Sequence, residues 1–356
     1  MKNRNILFLY GRPFAPLYSA AMRMREFFYR VGVLQVTNLD VPVISIGNLT
    51  LGGTGKTPVV RLLAGLLKDW GWSPAVISRG YGGVSKERVN IVSTGEQPLL
   101  EASFVGDEPR FLAESLEGVA ILTGAVRKYP AQKAVALGSD VLILDDGFQH
   151  LALARTVDLV LFNADTLAGN SRVFPGGDLR EPVKALQRCT GFIITGVNDR
   201  NRKRAESFAG LLSGRFPGRP VFLAQYRVKT IIKYEVDGKR SALSKENIKG
   251  ISFYGFSGIA HPENFQQSME DIGLNVKGFK SFSDHYHYRE SDMRRLCRLG
   301  EEAGANALIT TEKDMVKLHG LSRSMPLYTV GMEAVMDKDF HDYLQSILAV
   351  KSPSTR

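Results

Sequence analysis

Short apolar runs rich in β-branched residues alternate along this chain with longer segments whose apolar positions recur every three or four residues. The short runs, bounded by glycine, proline or polar clusters, predict buried strands at 43–46, 75–78, 119–122, 141–144, 157–162, 191–195 and 221–225. The periodic segments predict helices. Val59, Leu62, Leu63 and Leu66 line one, Phe111, Leu112 and Leu116 another, and 130–137 a third. Strands that are apolar throughout and followed by helices belong to a parallel sheet covered on both faces. Residues 226–240 read differently, as a hairpin turning at Asp237 and Gly238. Beyond it the alternation resumes, with strands at 251–256, 276–282, 307–310 and 327–330 and helices near 262–272, 291–303 and 337–348. The pattern predicts an α/β protein in pieces: a mostly parallel sheet domain over 41–225, a β-hairpin linker over 226–245, and a second, smaller α/β domain over 246–350.

The first 40 residues stand apart. Phe14, Leu17, Tyr18, Ala21, Met24 and Phe28 recur at helical spacing, and Phe27, Tyr29 and Val31 widen the apolar surface. Arg12, Arg23, Arg25 and Arg30 accompany them, with Glu26 as the acid of the stretch. Two readings fit: an amphipathic, membrane-associated segment lying in a lipid headgroup layer, or a helix packed on the neighbouring domain with its arginines in water.

Composition narrows the function classes more than the fold. A length of 356 residues accommodates two domains. With 44% hydrophobic and 23% charged residues, the chain is globular and not disordered. Cys189 and Cys297 are its only cysteines and lie far apart, which argues against a disulfide framework or a zinc cluster and suits a reducing cytosol. No uncharged apolar run is long enough to span a bilayer, and the first residues lack the features of a signal peptide. The net charge of +10 points to anionic company: nucleotide, nucleic acid, phosphorylated substrate or acidic membrane.

The strand at 43–46 runs into a glycine-rich turn, then Lys56 and Thr57, and Pro58 is expected to open the helix. Thr50, Leu51, Gly52, Gly53, Thr54, Gly55, Lys56 and Thr57 together form a predicted phosphate cradle of the P-loop NTPase type. Its backbone N–H groups converge on an anion, the helix N-terminus adds positive charge, Lys56 reaches the terminal phosphates and Thr57 ligates Mg²⁺. The usual G-x4-G-K-[ST] pattern has glycine where this chain has Thr50. ATP or GTP is the expected ligand. A second signal is the apolar strand at 141–144 ending in Asp145 and Asp146, the form of a Walker B element that holds Mg²⁺ or its waters.

Other positions carry weaker signals. Arg79 and Tyr81 follow a strand, where α/β proteins place ligand contacts, although Arg79 also fits a plain surface charge. Asp107 and Glu108 start a helix, as caps favoured by the dipole or as catalytic groups. The glycine-rich loop 169–182, with Asn170 and Arg180, has a length typical of functional loops. His285 and His287 have only Asp284 beside them, so a polar cleft-lining role fits better than metal ligation.

Together these stretches resemble the tetraacyldisaccharide 4′-kinase (lipid A 4′-kinase) family. The matching pieces run in order across nearly the whole chain: 47–58, 78–82, Gly-Asp-Glu-Pro at 106–109, Asp-Asp-Gly-Phe-Gln-His at 145–150, 175–181, 256–260, Asp284-His285, and Thr-Thr-Glu-Lys-Asp at 310–314. A phosphate loop without its first glycine is a trait of that family. Tyr286 is a departure, since the family often carries histidine there. The resemblance implies transfer of the ATP γ-phosphate to the 4′-hydroxyl of a tetraacylated glucosamine disaccharide 1-phosphate, giving lipid IVA in lipid A biosynthesis. It implies a peripheral enzyme at the cytoplasmic face of the inner membrane, using ATP and Mg²⁺, touching the anionic membrane surface and no nucleic acid. The active site is expected between two α/β domains joined by a short hairpin. Asp107 is then the proton acceptor, oriented by His285, with Glu108 near the metal and Lys56 on the phosphates. Thr57 with Asp145 or Asp146 places Mg²⁺, and Arg79, Tyr81, Arg127, His150, Asn170 and Arg180 bind substrate.

The alternative from another class is a GTP-dependent metallochaperone or regulatory P-loop NTPase. It needs a guanine-reading N-K-x-D element and cysteine or histidine ligands; residues 311–314 carry Lys-Asp without the asparagine or the spacing. An RNA-binding role needs clustered aromatic and basic strands, which are missing.

Overall fold

The computed structural model describes residues 8–236, 239–243, 246–260 and 262–349. The predicted turn at Asp237 and Gly238 falls outside them.

After helix α1 (Ala15–Arg30), strand β1 (Val43–Asn48) leads through the glycine-rich loop into α2 (Lys56–Asp69). Pro58 therefore sits in the first turn and does not open the helix; the capping position is Gly55, in the left-handed region at φ 70°. Strands β2 (Pro74–Ser78) and β3 (Asn90–Thr94) follow, then the short α3 (Ala102–Val105), α4 (Asp107–Ser115), β4 (Ala120–Thr123), α5 (Lys128–Ala136), β5 (Val141–Asp145), β6 (Val157–Asn163), β7 (Gly191–Thr195) and α6 (Arg202–Arg215). The chain continues through β8 (Val221–Tyr234), β9 (Arg240–Leu243), β10 (Ser252–Ser257), α7 (Pro262–Asp271), β11 (Asn275–Ser281), α8 (Glu290–Glu302), β12 (Ala307–Thr311), α9 (Glu312–Met315), β13 (Leu327–Met336) and α10 (Lys338–Ala349).

All thirteen strands join one sheet, in the order β11-β10-β12-β13-β8-β7-β6-β1-β5-β2-β4-β3, with β9 paired to β8 off that path. Pairing is parallel except where β3 meets β4, β13 meets β8 and β8 meets β9. The sheet is thus mostly parallel and mixed, an α/β fold. Strands β1, β5, β6 and β7 are buried along their whole length, as expected when helices cover both faces. Val59, Val60, Leu63 and Leu67 of α2 cover one face above Ile44, Ile46 and Ile143. Phe148, Phe192 and Leu179 pack on the other.

The strands either side of the predicted turn do pair as a hairpin, β8 with β9 from Ile231↔Leu243 to Tyr234↔Arg240, but the connection between the two halves of the sheet is longer than that hairpin. The separate strands expected at 221–225 and from 228 are one strand, β8, because no breaker interrupts Gln225, Tyr226, Arg227 and Val228. β13 runs past its predicted end and returns antiparallel beside β8 from Leu327↔Tyr234 to Met336↔Ala224, with a register shift between Gly331 and Met332. A two-stranded ribbon therefore crosses from one half to the other. It delivers α10, grouped by the sequence pattern with the second unit, back to the first. Phe340 and Leu344 lie in the same cluster as Val59 and Leu63, and the Phe340 ring meets Phe222 at 5.1 Å.

Helix α1 has no buried residue. Its inward contacts are largely polar: the Tyr18 hydroxyl donates to the Arg180 carbonyl (3.1 Å), Arg25 donates to the Gln149 carbonyl (3.1 Å), and Glu26 pairs with Arg188 (3.2 Å), while the Tyr18 ring meets Phe174 edge to face at 5.6 Å. Phe14, Leu17, Met24 and Phe27 face outward, Leu17 with 73% of its surface exposed. Phe28, placed on the apolar stripe by its spacing, is half-buried. The helix is amphipathic with its apolar side towards solvent. Among the described residues no helix is long and apolar enough to cross a membrane.

Candidate active site

The site lies where the carboxyl ends of β1, β5 and β7 meet the second half of the sheet. The phosphate loop is shaped by its supports. Asn48, the last residue of β1, donates its amide to the Thr50 carbonyl (2.8 Å) and Gly52 carbonyl (3.4 Å). Leu51 donates its backbone N–H to the Asp178 carbonyl, and the Thr195 hydroxyl donates to the Thr54 carbonyl (2.7 Å). Gly55 admits no side chain: a Cβ there would sit 1.6 Å from the Tyr226 hydroxyl. Gly53, Lys56 and Thr57 line a cavity of about 270 Å³, whose far wall is formed by Ile259, Phe265 and Lys313 from the second half.

Lys56 lies 3.3 Å from Asp146 Oδ1 and 3.4 Å from Asn48 Oδ1. Arg180, expected on substrate, donates to both oxygens of Asp146 (2.9 and 2.8 Å). Burial opposes the charge of Asp146, yet Lys56 and Arg180 outweigh it and hold its pKa below the ordinary carboxylate value. Asp145 is the contrasting partner. It is fully enclosed, Ser78 reaches its Oδ2 at 3.4 Å, and its Oδ1 has no partner. Burial, reinforced by the charge of Glu108, pushes it up to about 7. An orphaned carboxylate oxygen in a site rich in carboxylates is the feature a cation would satisfy. Among the described residues no three acidic, histidine or cysteine side chains form a ready-made metal cage.

Asp107 and Glu108 begin α4, and each meets a side chain from the other half of the sheet. His285 Nδ1 is 3.3 Å from Asp107 Oδ2, and Lys317 Nζ is 3.9 Å from the same oxygen. Burial opposes the ionisation of Asp107; the His285 hydrogen bond and the Lys317 charge prevail and lower its pKa. Lys313 donates to Glu108 at 2.8 Å. His285 and Asp146 are both left-handed at φ 57° and 54°, two of only four such non-glycine residues among those described. Backbone held in that region concentrates at functional sites.

The remaining candidates are spread around this centre. The Tyr81 ring is 71% exposed and meets His285 edge to face at 6.0 Å. Arg127 is buried, donating to the Ala125 carbonyl, and its Nε lacks a partner. Arg79 lies near enough to Arg127 and His150 to act on both electrostatically. The side-chain oxygen of Asn170 accepts from the backbone N–H groups of Arg172 and Asp178, stapling its own loop. Three supporting residues escaped the sequence reading. Gln149 bridges the Asn48 carbonyl and Arg180, Arg61 pairs with Glu312 across the halves at 2.9 Å, and Lys313 holds Glu108. Lys313 lies inside the 310–314 stretch, which was the available signal.

Burial, joined by Arg127 and Arg155, pushes His150 down to about 4. Its folded pKa is then below its unfolded value, so the unfolded chain takes up the extra proton. The stability tied to a neutral His150 is present above about pH 6.5 and disappears as the pH falls towards 4. In thermal melts, His150→Gln is expected to lose less melting temperature than the wild type between pH 7 and 4.5. Parallel curves for the two would rule this out.

Comparison with known proteins agrees with the geometry. The family described as Tetraacyldisaccharide-1-P 4′-kinase matches residues 7–349. The tetraacyldisaccharide 4′-kinase of Desulfotalea psychrophila is 42% identical over 97% of this chain and 97% of its own. That of Syntrophus aciditrophicus is 39% identical over 89% and 86%. A crystal structure of LpxK from Aquifex aeolicus in complex with ATP superposes with a TM-score of 0.76 at 30% identity, covering 95% of this chain and 97% of that one. This chain belongs to the tetraacyldisaccharide-1-phosphate 4′-kinase family.

Proposed function

We propose that the cleft moves the γ-phosphate of ATP to the 4′-hydroxyl of a tetraacyldisaccharide 1-phosphate, with the two halves of the sheet acting as two domains around the reacting groups. The observation that carries this reading is Asp107 beside the phosphate-loop cavity with His285 brought to it from the other half. Lys56 and the loop amides neutralise the phosphate oxygens. A sugar hydroxyl needs a base in hydrogen-bond reach, and Asp107, kept ionised by its neighbours, takes that proton while His285 fixes the carboxylate. Asp145, whose buried Oδ1 is free, is better suited than Asp146 to hold Mg²⁺, with Thr57 and Glu108 alongside. Bound there, Mg²⁺ would supply charge neutralisation for the transferring phosphate. Asp146 instead anchors Lys56 and Arg180. Arg79, Tyr81, Arg127 and His150 line the approach for an anionic acceptor. The test is incubation with γ-labelled ATP and the acyl-disaccharide: label in the lipid is expected, and label only in free phosphate would reject the kinase reading.

The enzyme works from the cytoplasmic face of the inner membrane as a peripheral protein. The support is α1, attached inward by polar contacts and turned outward by Phe14, Leu17, Met24 and Phe27, with Arg12, Arg23 and Arg30 exposed among them. Each basic residue near an anionic surface contributes about 1 kcal/mol, and each buried apolar side chain roughly 1.5–3 kcal/mol. Replacing Phe14, Leu17 and Met24 by serine is expected to release the protein from anionic vesicles and to raise the KM for lipid acceptor, leaving the KM for ATP unchanged. A lowered melting temperature with vesicle binding intact would show instead that these side chains serve the fold.

A further inference from the structure

Lys313 has no part in the chemistry described so far, yet it lines the same cavity as Lys56 and Thr57 from the opposite wall. Its mount is rigid. Thr311 caps the turn by accepting from the Asp314 N–H (3.0 Å), and Asp314, fully buried, accepts from the Gly258 N–H (3.0 Å) and the Tyr288 hydroxyl (3.1 Å) and pairs with Lys317 (2.9 Å). From that turn the Lys313 ammonium reaches Glu108 at 2.8 Å. Glu108 adjoins Asp107, so the pair sits at the end of the cavity where the acceptor hydroxyl is deprotonated, which is the transfer end of the phosphate chain. The cavity lysines face carboxylates, Lys56 on Asp146 and Lys313 on Glu108. An ammonium has three donors, and one bond to Glu108 leaves two for phosphate oxygens.

We propose that Lys313 is a second phosphate-binding lysine, supplied by the other half of the molecule, that contacts the γ-phosphate and stabilises its charge during transfer. This rests on the kinase reading above. It makes the second half a contributor to nucleotide recognition as well as to the Asp107–His285 pair. The chain then senses the terminal phosphate only when both halves are engaged, and it discriminates ATP from ADP at that point.

The test measures equilibrium binding of β,γ-methylene ATP and of ADP to the full chain in EDTA, for the wild type, Lys313→Met and Lys313→Arg. Lys313→Met is expected to weaken the methylene-ATP complex about tenfold or more, the loss of a charge-assisted contact, and ADP binding by less than twofold. Retained ADP binding also shows that the variant is folded. Lys313→Arg is expected to recover most of the loss, and kcat for Lys313→Met to fall about 10²–10³-fold. Equal losses for both nucleotides, or none for either, would overturn the assignment and leave Lys313 as an ion-pair partner of Glu108. A wild type that binds neither nucleotide, in EDTA or in excess Mg²⁺, would instead remove the kinase reading and this inference with it.

Discussion

Lys56→Ala is expected to lower label transfer to the acyl-disaccharide by about 10²–10³-fold or more, with a melting temperature close to that of the wild type. The catalytic loss follows from removing a preorganised charge aimed at the phosphate oxygens. The retained stability follows from the neighbourhood. Asp146 keeps both bonds from Arg180 when Lys56 is gone, so no buried carboxylate is abandoned. The loop itself is shaped by the Asn48 amide, Thr195 and Asp178, whose bonds to the loop backbone do not pass through the lysine; the one contact Asn48 loses is the long 3.4 Å bond to its Oδ1. An alanine variant with more than a tenth of wild-type activity would refute the phosphate-loop assignment. A variant that melts far below the wild type would show that Lys56 serves the fold first.

Asp107→Ala and His285→Ala are each expected to lower kcat by about 10²–10⁴-fold, the range of a positioned acid–base group. The double variant should be little worse than the poorer single, because both residues serve one proton-handling task and such groups are strongly non-additive. Their contact at 3.3 Å, the burial of Asp107 and the left-handed backbone of His285 describe one unit assembled from two sides. Lys317, 3.9 Å from the same oxygen, keeps a cation near Asp107 in the His285 variant. The His285 loss is therefore expected to be the smaller of the two. Multiplicative losses would assign the two residues separate jobs.

Much of this was readable because local chemistry and global fold agree. Val141, Leu142, Ile143 and Leu144 are apolar on both faces, and only a central parallel strand has apolar neighbours on both sides. Strand β3 was missed because it lies at the sheet edge, where Asn90, Ser93 and Thr94 are tolerated. Helix α6 was missed because it buries little besides Ala205 and Leu212, so its pattern is weak. The ribbon escaped because a hairpin turn signal at 237–238 hides how far β8 has already run. Lys56 and Asp107 stood out because each sits in a motif with a mechanism. The ion pairs that set the site's electrostatics did not. Lys313 and Glu108 are 205 positions apart, and no local pattern couples residues at that separation. Nor does sequence reveal that the side-chain carbonyl of Asn170 is engaged by its own loop.

The returning strand β13 has a consequence for how the chain folds as it is made. The core above the phosphate loop contains Ile44, Val59 and Leu63 from early in the chain, and Phe340, Leu344 and Leu348 from its far end. Emerging from the ribosome, the nucleotide-binding half cannot close that core until α10 has been synthesised. The segment between Tyr234 and Leu327 is different, since those two residues are paired neighbours in the sheet. Joined by the stretches of β8 and β13 that complete its core (Ile231, Leu327, Tyr328 and Val330), it is an insertion with its ends together that can close before α10 is made. The nascent chain is then expected to form its later half before its earlier one, reversing the usual N-to-C order of domain folding. Until β13 and α10 return, the side of the α2 cluster that Ala334, Met336, Phe340 and Leu344 complete is open for chaperones to cover.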